Sequence, residues 1–150
     1  MLQAPLTGDA GGGGATDCRF CAIVGGRSPA ALVLDEDHAV AFLDVRPVFP
    51  GHVLLVPRPH HETLTDLPPD DVGPLFLTAQ RLVRAVEAGM AAEGTFVAVN
   101  NRISQSVPHL HVHVVPRRRK DGLRGFFWPR TRYRDDEEME QVAARIRAAL

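Results

Sequence analysis

Three histidines alternate with apolar residues in the stretch VPHLHVHVVPR, which covers residues 107–117. They are His109, His111 and His113. Alternate side chains of a β-strand point to the same face, so a strand here would present three imidazoles on one face and apolar side chains on the other. Imidazole can act as a nucleophile, a proton donor or a metal ligand near neutral pH. The pattern predicts a cleft lined by histidines; the alternative is a polar strand face that happens to be rich in histidine.

The spacing argues against one metal ion held by all three histidines. Neighbouring positions on one face of a strand lie roughly 6.6 Å apart, and the outer pair would lie about 13 Å apart. A zinc–nitrogen bond is only about 2.0–2.1 Å long, so two neighbours can share an ion but the outer pair cannot. The row therefore predicts a division of roles among the three side chains.

Cys18 and Cys21 are the two cysteines of the chain. Their Cys-x₂-Cys spacing fits a redox pair, two unbonded thiols, or half of a tetrahedral zinc site. A redox pair of this kind belongs in a thioredoxin-like βαβ unit, which the surrounding sequence does not indicate. Two cysteines are also too few for a disulfide framework.

The elements that would position these residues can be inferred from hydrophobic periodicity and turn residues. The long helix is the clearest, because Pro68 and Pro69 suit its first turn and apolar residues then recur at steps of three and four. The other expected elements are a hairpin in Ala30–Asp44, strands in Gly51–Arg58, Thr95–Asn101 and HLHVHVVP, and a helix in Asp135–Leu150. Together they predict an α+β fold with a mostly antiparallel sheet of about five strands, one long helix and a C-terminal helix.

Length and composition predict one globular domain. The chain has 150 residues, of which 45% are hydrophobic and 23% charged, with a formal net charge of −1. Residues 1–16 include a run of four glycines and are expected to form a flexible N-terminal tail, with a single domain over residues 17–150. The near-neutral charge disfavours nucleic acid and anionic membranes as partners. Because no secretory signal or bilayer-spanning run is present, a cytoplasmic location is expected.

Three sequence blocks resemble the histidine triad (HIT) family and occur in the family's order. HLHVHVV matches its signature, in which three histidines alternate with apolar residues. The blocks CRFCAIVGGRSPA, AFLDVRPVFPGHVLLVPRPHHETL and NNRISQSVPHLHVHVVPR extend the resemblance over Cys18–Arg117. The resemblance implies a HIT-like fold and a nucleotide hydrolase or transferase that acts on the α-phosphorus of a nucleoside phosphate conjugate, such as a phosphoramidate or a dinucleoside polyphosphate.

The resemblance also implies roles for four residues that would act on the phosphate. His111 would be the nucleophile and would form a nucleotidyl-histidine intermediate, which requires a hydrogen-bond acceptor behind the ring to leave the attacking nitrogen unprotonated. His113 would donate to a phosphate oxygen. Gln105 and Ser106 would contact the phosphate and the leaving group, although both could simply form the turn before the strand.

Four further positions match the nucleotide-binding residues of the family. Asp44 would accept hydrogen bonds from the ribose hydroxyls, and Phe42 would belong to the base pocket. Asn100 would contact phosphate or substrate, and His52 would orient a neighbouring imidazole. Each also has an ordinary structural interpretation: a turn aspartate, a core phenylalanine, an asparagine at a strand end and a histidine at a strand start.

A zinc-binding branch of the family implies a ligand set for the two cysteines. Cys18 and Cys21 would be joined by His60 and by the first histidine of the row, His109, with His61 as a possible substitute for His60. Four protein ligands close the coordination shell, so this Zn²⁺ would be structural. Reduced free thiols remain the alternative.

Two further expectations come from the resemblance. Family members are usually homodimers formed partly through the long helix and the strand after it. Relatives usually carry a longer loop with glycine where this chain has Ser104, so the resemblance does not imply backbone contacts to phosphate from that loop. The alternative function is a zinc-stabilised purine nucleotide sensor with little turnover, although a binding protein would not need the nucleophile.

Overall fold

The structure is a computed structural model that describes residues 17–123 and 131–150. The predicted tail, residues 1–16, lies outside the described residues. The chain divides into two compact units, of which one ends at Arg119 and the other begins at Lys120. None of the helices in the described part of the chain is both long enough and apolar enough to cross a membrane.

The described part of the first unit, residues 17–119, contains two helices, five strands and a short 3-10 helix at Leu64–Asp66. In chain order these are α1 (Arg19–Val24), β1 (Leu32–Asp35), β2 (Ala39–Leu43), β3 (Val53–Pro57), α2 (Pro69–Gly89), β4 (Gly94–Val99) and β5 (Val112–Arg117). The second unit contains α3 (Asp136–Arg147). Its N-cap is Asp135, whose side chain accepts a hydrogen bond from the backbone N–H of Glu138.

The five strands form one antiparallel sheet in the order β1-β2-β3-β5-β4. The predicted α+β fold is therefore confirmed, as are the hairpin β1–β2 and the long helix. A tight turn leads into β3 at Gly51, whose φ is +94° and whose missing Cβ would lie 2.6 Å from Cγ of Met90. A larger residue would be strained there and would collide with Met90.

Helix α2 covers one face of the sheet. Its buried stripe packs against alternate residues of β2, β3 and β5 and against Leu110, just before β5. The helix begins at Pro69, a position where the missing N–H costs nothing, and Asp70 and Asp71 face the positive end of the helix dipole. Burial of each large apolar side chain in this layer stabilises the fold by about 1.5–3 kcal/mol.

The other face of the sheet is covered by α1, a six-residue helix that the sequence analysis did not predict. Its Phe20 is buried with Phe42 of β2 and Leu54 of β3. We call this side the α1 face. It is the face on which the histidine row lies, because Leu110 and Val112 belong to the α2 side.

The start of β5 corrects the sequence prediction. A strand was expected from His109 onward, but regular pairing begins only at Val112. The backbone N–H of Leu110 instead donates to the carbonyl oxygen of His61 at 2.6 Å, and that of His109 donates to the carbonyl oxygen of Val107 at 2.8 Å. His109 is thus held by loop contacts rather than by strand pairing. Its side chain still lies on the same face as those of His111 and His113.

Candidate functional site

A cavity of about 320 Å³ opens on the α1 face. His111, His113 and Ser106 line one end of it, and Asp44 lies in its wall at the end of β2. The remaining wall comes mainly from α1, from the turn after α1 and from β2, and it combines apolar side chains with the charged residues Asp17, Arg19 and Arg46. The volume falls in the range of small-molecule sites.

The ring of His111 is oriented by its own backbone neighbourhood. Its Nδ1 lies 2.6 Å from the carbonyl oxygen of His109, so Nδ1 is the nitrogen that carries the proton and donates it. Phe20 packs edge-on against the ring, with centroids 5.2 Å apart. This arrangement leaves Nε2 with a free lone pair, as a nucleophile requires.

A chain of hydrogen bonds fixes the tautomer of His113. The backbone N–H of Val48 donates to Nδ1 of His52 at 3.2 Å, so Nε2 of His52 carries the proton. That Nε2 lies 2.9 Å from Nδ1 of His113, which therefore accepts. The proton of neutral His113 is left on Nε2, where it is available to an anionic ligand.

Burial keeps His113 and His52 neutral. Burial, together with the nearby His111 and His52, lowers the pKa of His113 from 6.5 to about 4, against a small opposing effect of Asp44. Burial also lowers the pKa of His52, and the Asp44 carboxylate opposes that shift. Near pH 7 both rings are neutral hydrogen-bonding groups rather than cations.

Asp44 and Phe42, which the family resemblance predicts to bind the nucleotide, both line the cavity. Oδ1 of Asp44 accepts from the backbone N–H of Arg46 at 2.9 Å, and its Oδ2 lies 3.7 Å from Nδ1 of His52. Phe42 meets Phe20 edge-on at 5.2 Å between ring centroids. These contacts hold the side chains of Asp44 and Phe42 in place.

The loop before the histidine row contributes less to the cavity than the sequence suggested. Ser106 lines it, whereas Gln105 and Asn100 do not. Gln105 donates through Nε2 to the carbonyl oxygen of Glu62 at 2.5 Å, and Asn100 donates through Nδ2 to the carbonyl oxygen of Ser104 at 3.3 Å. Ser104 has φ +61°, the left-handed conformation expected of a residue that replaces glycine.

Cys18, Cys21, His60 and His109 form a second cluster, in which the four ligand atoms lie within 4.8 Å of one another. Nδ1 of His109 is 3.5 Å from the sulfur of each cysteine, and Nδ1 of His60 is 3.2 Å from that of Cys21. Tetrahedral zinc, with bonds of about 2.3 Å to sulfur and 2.0–2.1 Å to nitrogen, would place such atoms about 3.5 Å apart. The structure brings His60 rather than His61 to the cluster.

Two observations indicate that the cluster fits a cation. Nε2 of His109 donates to the carbonyl oxygen of Pro57 at 2.9 Å, which leaves Nδ1 unprotonated and aimed at the cysteines. Burial and the neighbouring Cys18 raise the pKa of Cys21 to about 11. Two thiolates are therefore unstable side by side unless a metal ion compensates their charge.

The sequence analysis missed the contribution of α1 to the cavity. Phe20 and Ile23 of this helix line the cavity, and Cys18 precedes the helix directly. A signal was present, because Phe20, Ile23 and Val24 recur at steps of three and four. The segment is only six residues long, so the periodicity was too short to stand out.

The α+β fold with its antiparallel sheet, together with the histidine-lined cavity and the Cys/His cluster, defines the class of domain to which the chain belongs. A family model described as the HIT domain matches residues 26–120, more than half of the sequence. The chain therefore belongs to the HIT domain family, and the resemblance recognised in the sequence is confirmed.

Relatives with assigned names include two hydrolases. A HIT-like protein of Mycobacterium tuberculosis is 39% identical over 108 residues, covering 71% of this chain and 75% of its own. An adenosine 5'-monophosphoramidase of Saccharomyces cerevisiae is 32% identical over 124 residues, covering 81% and 73%. An asymmetrical bis(5'-nucleosyl)-tetraphosphatase of Schizosaccharomyces pombe is 32% identical over 85 residues, covering 55% and 47%.

Solved structures share the fold. A HIT family protein of Bacillus subtilis matches with a TM-score of 0.81 and 28% identity, over 89% of this chain and 97% of that one. A zinc-bound histidine triad family protein of Mycobacterium smegmatis matches with a TM-score of 0.70 and 35% identity, over 91% and 100%. The second neighbour holds the metal that the Cys/His cluster of this chain would suit.

Proposed function

We propose that this protein hydrolyses or transfers a nucleotide by attack on the α-phosphorus of a nucleoside phosphate conjugate. The substrate would be a phosphoramidate or a dinucleoside polyphosphate, the classes that the names of two relatives indicate. The observation that carries the proposal is the ring of His111, which lines the cavity and has its Nδ1 held by the carbonyl oxygen of His109.

The reaction proceeds in two displacements at phosphorus. The lone pair on Nε2 of His111 forms a nitrogen–phosphorus bond as the bond to the leaving group breaks, and the departing nitrogen or oxygen takes that electron pair and a proton from solvent. Ser106, which lines the same cavity as His111, would contact this group. A water oxygen then bonds to phosphorus and gives up a proton to solvent, the electron pair of the breaking nitrogen–phosphorus bond returns to Nε2 of His111, and a nucleoside monophosphate is released.

The other polar groups of the cavity bind the nucleotide. Nε2–H of His113 donates to a non-bridging phosphate oxygen, where negative charge builds up in the transition state. Asp44 accepts from the two ribose hydroxyls, and Phe42 packs against the base. Gln105 and Asn100 lie in the loop that holds Ser106, and they reach the phosphate or leaving group only if that loop adjusts on binding.

The Cys/His cluster would hold a structural Zn²⁺ through Cys18, Cys21, His60 and His109. Its donor set and spacing support this assignment, as does the zinc-bound neighbour. Four protein ligands leave no open position for substrate, so the ion would stabilise the loops that carry the site. His109 thus connects the metal to the carbonyl group that orients His111.

A homodimer is proposed on the family resemblance. Phe76 and Leu77 of α2 and Val97 of β4 are large apolar residues that remain exposed by 37%, 64% and 42%. Contact through these two elements in a second copy would cover them. Light scattering on the purified chain would measure the oligomeric state directly.

Incubation with three conjugates tests the function. They are an adenosine phosphoramidate, a fluorogenic AMP conjugate and a diadenosine polyphosphate, each followed for release of AMP. Release from at least one conjugate, abolished in His111→Ala, is the expected result. Tight binding of AMP without release from any of them would instead favour a nucleotide sensor.

A further inference from the structure

Ser28 is an uncharged polar side chain of the cavity that has no part in the chemistry described so far. Ser28 lies in the turn between α1 and β1 and lines the cavity next to Pro29 and Ala30. It is half-buried, and its hydroxyl has no hydrogen-bond partner within the described parts of the chain. A hydroxyl in this position can donate one hydrogen bond and accept two.

The surroundings of Ser28 make its hydroxyl distinctive. Its neighbours in this part of the wall are apolar side chains, among them Ile23 of α1 and Ala30. The other hydroxyl of the lining belongs to Ser106, which lies just before the histidine row in the sequence. A ligand group that contacts this part of the wall would therefore find the Ser28 hydroxyl as the uncharged polar group among apolar side chains.

The backbone holds Ser28 in a fixed position. Its N–H donates to the carbonyl oxygen of Ala22 at 3.1 Å, and that of Arg27 donates to the same oxygen at 2.8 Å. Gly26 makes this turn possible with φ +70°. The hydroxyl is thus attached to the C-terminal end of α1, and little order has to be created when a ligand binds.

We propose that Ser28 takes part in recognising the nucleotide base by hydrogen bonding its polar edge. The inference rests on the proposed function, because phosphorus at His111 and ribose at Asp44 direct the base toward the apolar wall. A base edge with ring nitrogens and exocyclic groups satisfies the hydroxyl, whereas a purely apolar group leaves it unpaired.

The test compares a nucleotide with the same molecule lacking its base. Dissociation constants of AMP and ribose 5-phosphate are measured by NMR titration, which reaches millimolar affinities, for the wild type, Ser28→Ala and Ser106→Ala. Ser28→Ala should weaken AMP binding about two- to tenfold, the range of one neutral hydrogen bond, and leave ribose 5-phosphate within about twofold. Ser106→Ala, the same chemical change at the phosphate end, should weaken both ligands.

The possible failures are distinguishable. Unchanged AMP affinity in Ser28→Ala, or equal weakening of both ligands, would overturn the role of Ser28 while the proposed function stands. A wild-type protein that binds neither ligand would contradict the proposed function and this inference with it. Removing the hydroxyl breaks no hydrogen bond among the described residues, so Ser28→Ala should fold normally.

Discussion

At the scale of single residues, hydrogen-bond partners decide which nitrogen of each imidazole is free. His109 donates to the carbonyl oxygen of Pro57 and turns Nδ1 toward the cysteines, whereas His111 donates through Nδ1 and keeps Nε2 free. His113 accepts at Nδ1 from His52. Three identical side chains thereby acquire three different roles, and none of these partners could be identified from the sequence spacing.

The contact between His52 and His113 gives the first prediction. His52→Ala removes the donor that fixes the tautomer of His113, so kcat should fall about tenfold, equivalent to the loss of one hydrogen bond. KM should change little, because His52 does not contact the phosphate itself. Steady-state kinetics with the fluorogenic AMP conjugate would measure both constants.

His38→Ala is the matched control for that substitution. His38 bonds Thr78 on the α2 side of the sheet, away from the cavity. It should retain kcat within about twofold of the wild type. Equal losses in the two variants would show that His52 matters only for general stability.

The depressed pKa of His113 predicts a pH dependence of stability. An unfolded chain binds a proton at this position near pH 6.5, but the folded protein resists protonation until about pH 4. The unfolded state therefore binds more protons between these values, and the free energy of unfolding should fall as the pH drops from about 6.5 to about 4.

His113→Gln isolates this contribution from other groups that titrate in the same range. Urea unfolding of both proteins at several pH values gives two curves, and the wild-type curve should fall more steeply over that window. The Cys/His cluster is common to both proteins, so its own pH dependence cancels in the difference. Parallel curves would show that His113 is not held neutral by the fold.

At the scale of elements, the short helix α1 connects the Cys/His cluster with the cavity. Cys18 and Cys21 lie at its start, and Phe20 between them packs against His111 and Phe42. Six residues are too few for an isolated helix in water, so its stability must come from packing and from the cysteines. A metal that holds the cysteines would therefore also hold one wall of the nucleotide cavity.

Adjacent histidines allow a sharp test of the metal site. His60→Ala removes a ligand and should abolish stoichiometric zinc while lowering the free energy of unfolding by about 3 kcal/mol. His61→Ala should retain the metal, because His61 contributes a backbone carbonyl group that the substitution leaves in place. Elemental analysis and urea unfolding measure the two effects.

The opposite order of effects would contradict the assignment. Full zinc content in His60→Ala, with loss in His61→Ala, would place the other histidine in the coordination shell. Absence of stoichiometric metal from the wild type would favour two reduced thiols.

At the scale of the whole molecule, the parts predicted well were those with long or repeated patterns. The 21-residue helix α2 shows a full apolar stripe, and the alternation of Leu110 and Val112 with histidines gave the correct faces. The start of β5 was misplaced, because the bond between Leu110 and His61 depends on a loop far away in sequence. The exclusion of Gln105 from the cavity lining likewise depends on its contact with Glu62, which local sequence does not encode.

The central claim is that His111 becomes covalently bonded to the nucleotide, and mass spectrometry after rapid quenching tests it most directly. During turnover of the fluorogenic AMP conjugate, one adenylyl group per chain should appear on the peptide that contains His111. His111→Ala should show neither the added mass nor release of AMP. Undiminished turnover by His111→Ala, or an adenylyl group on another residue, would contradict the account.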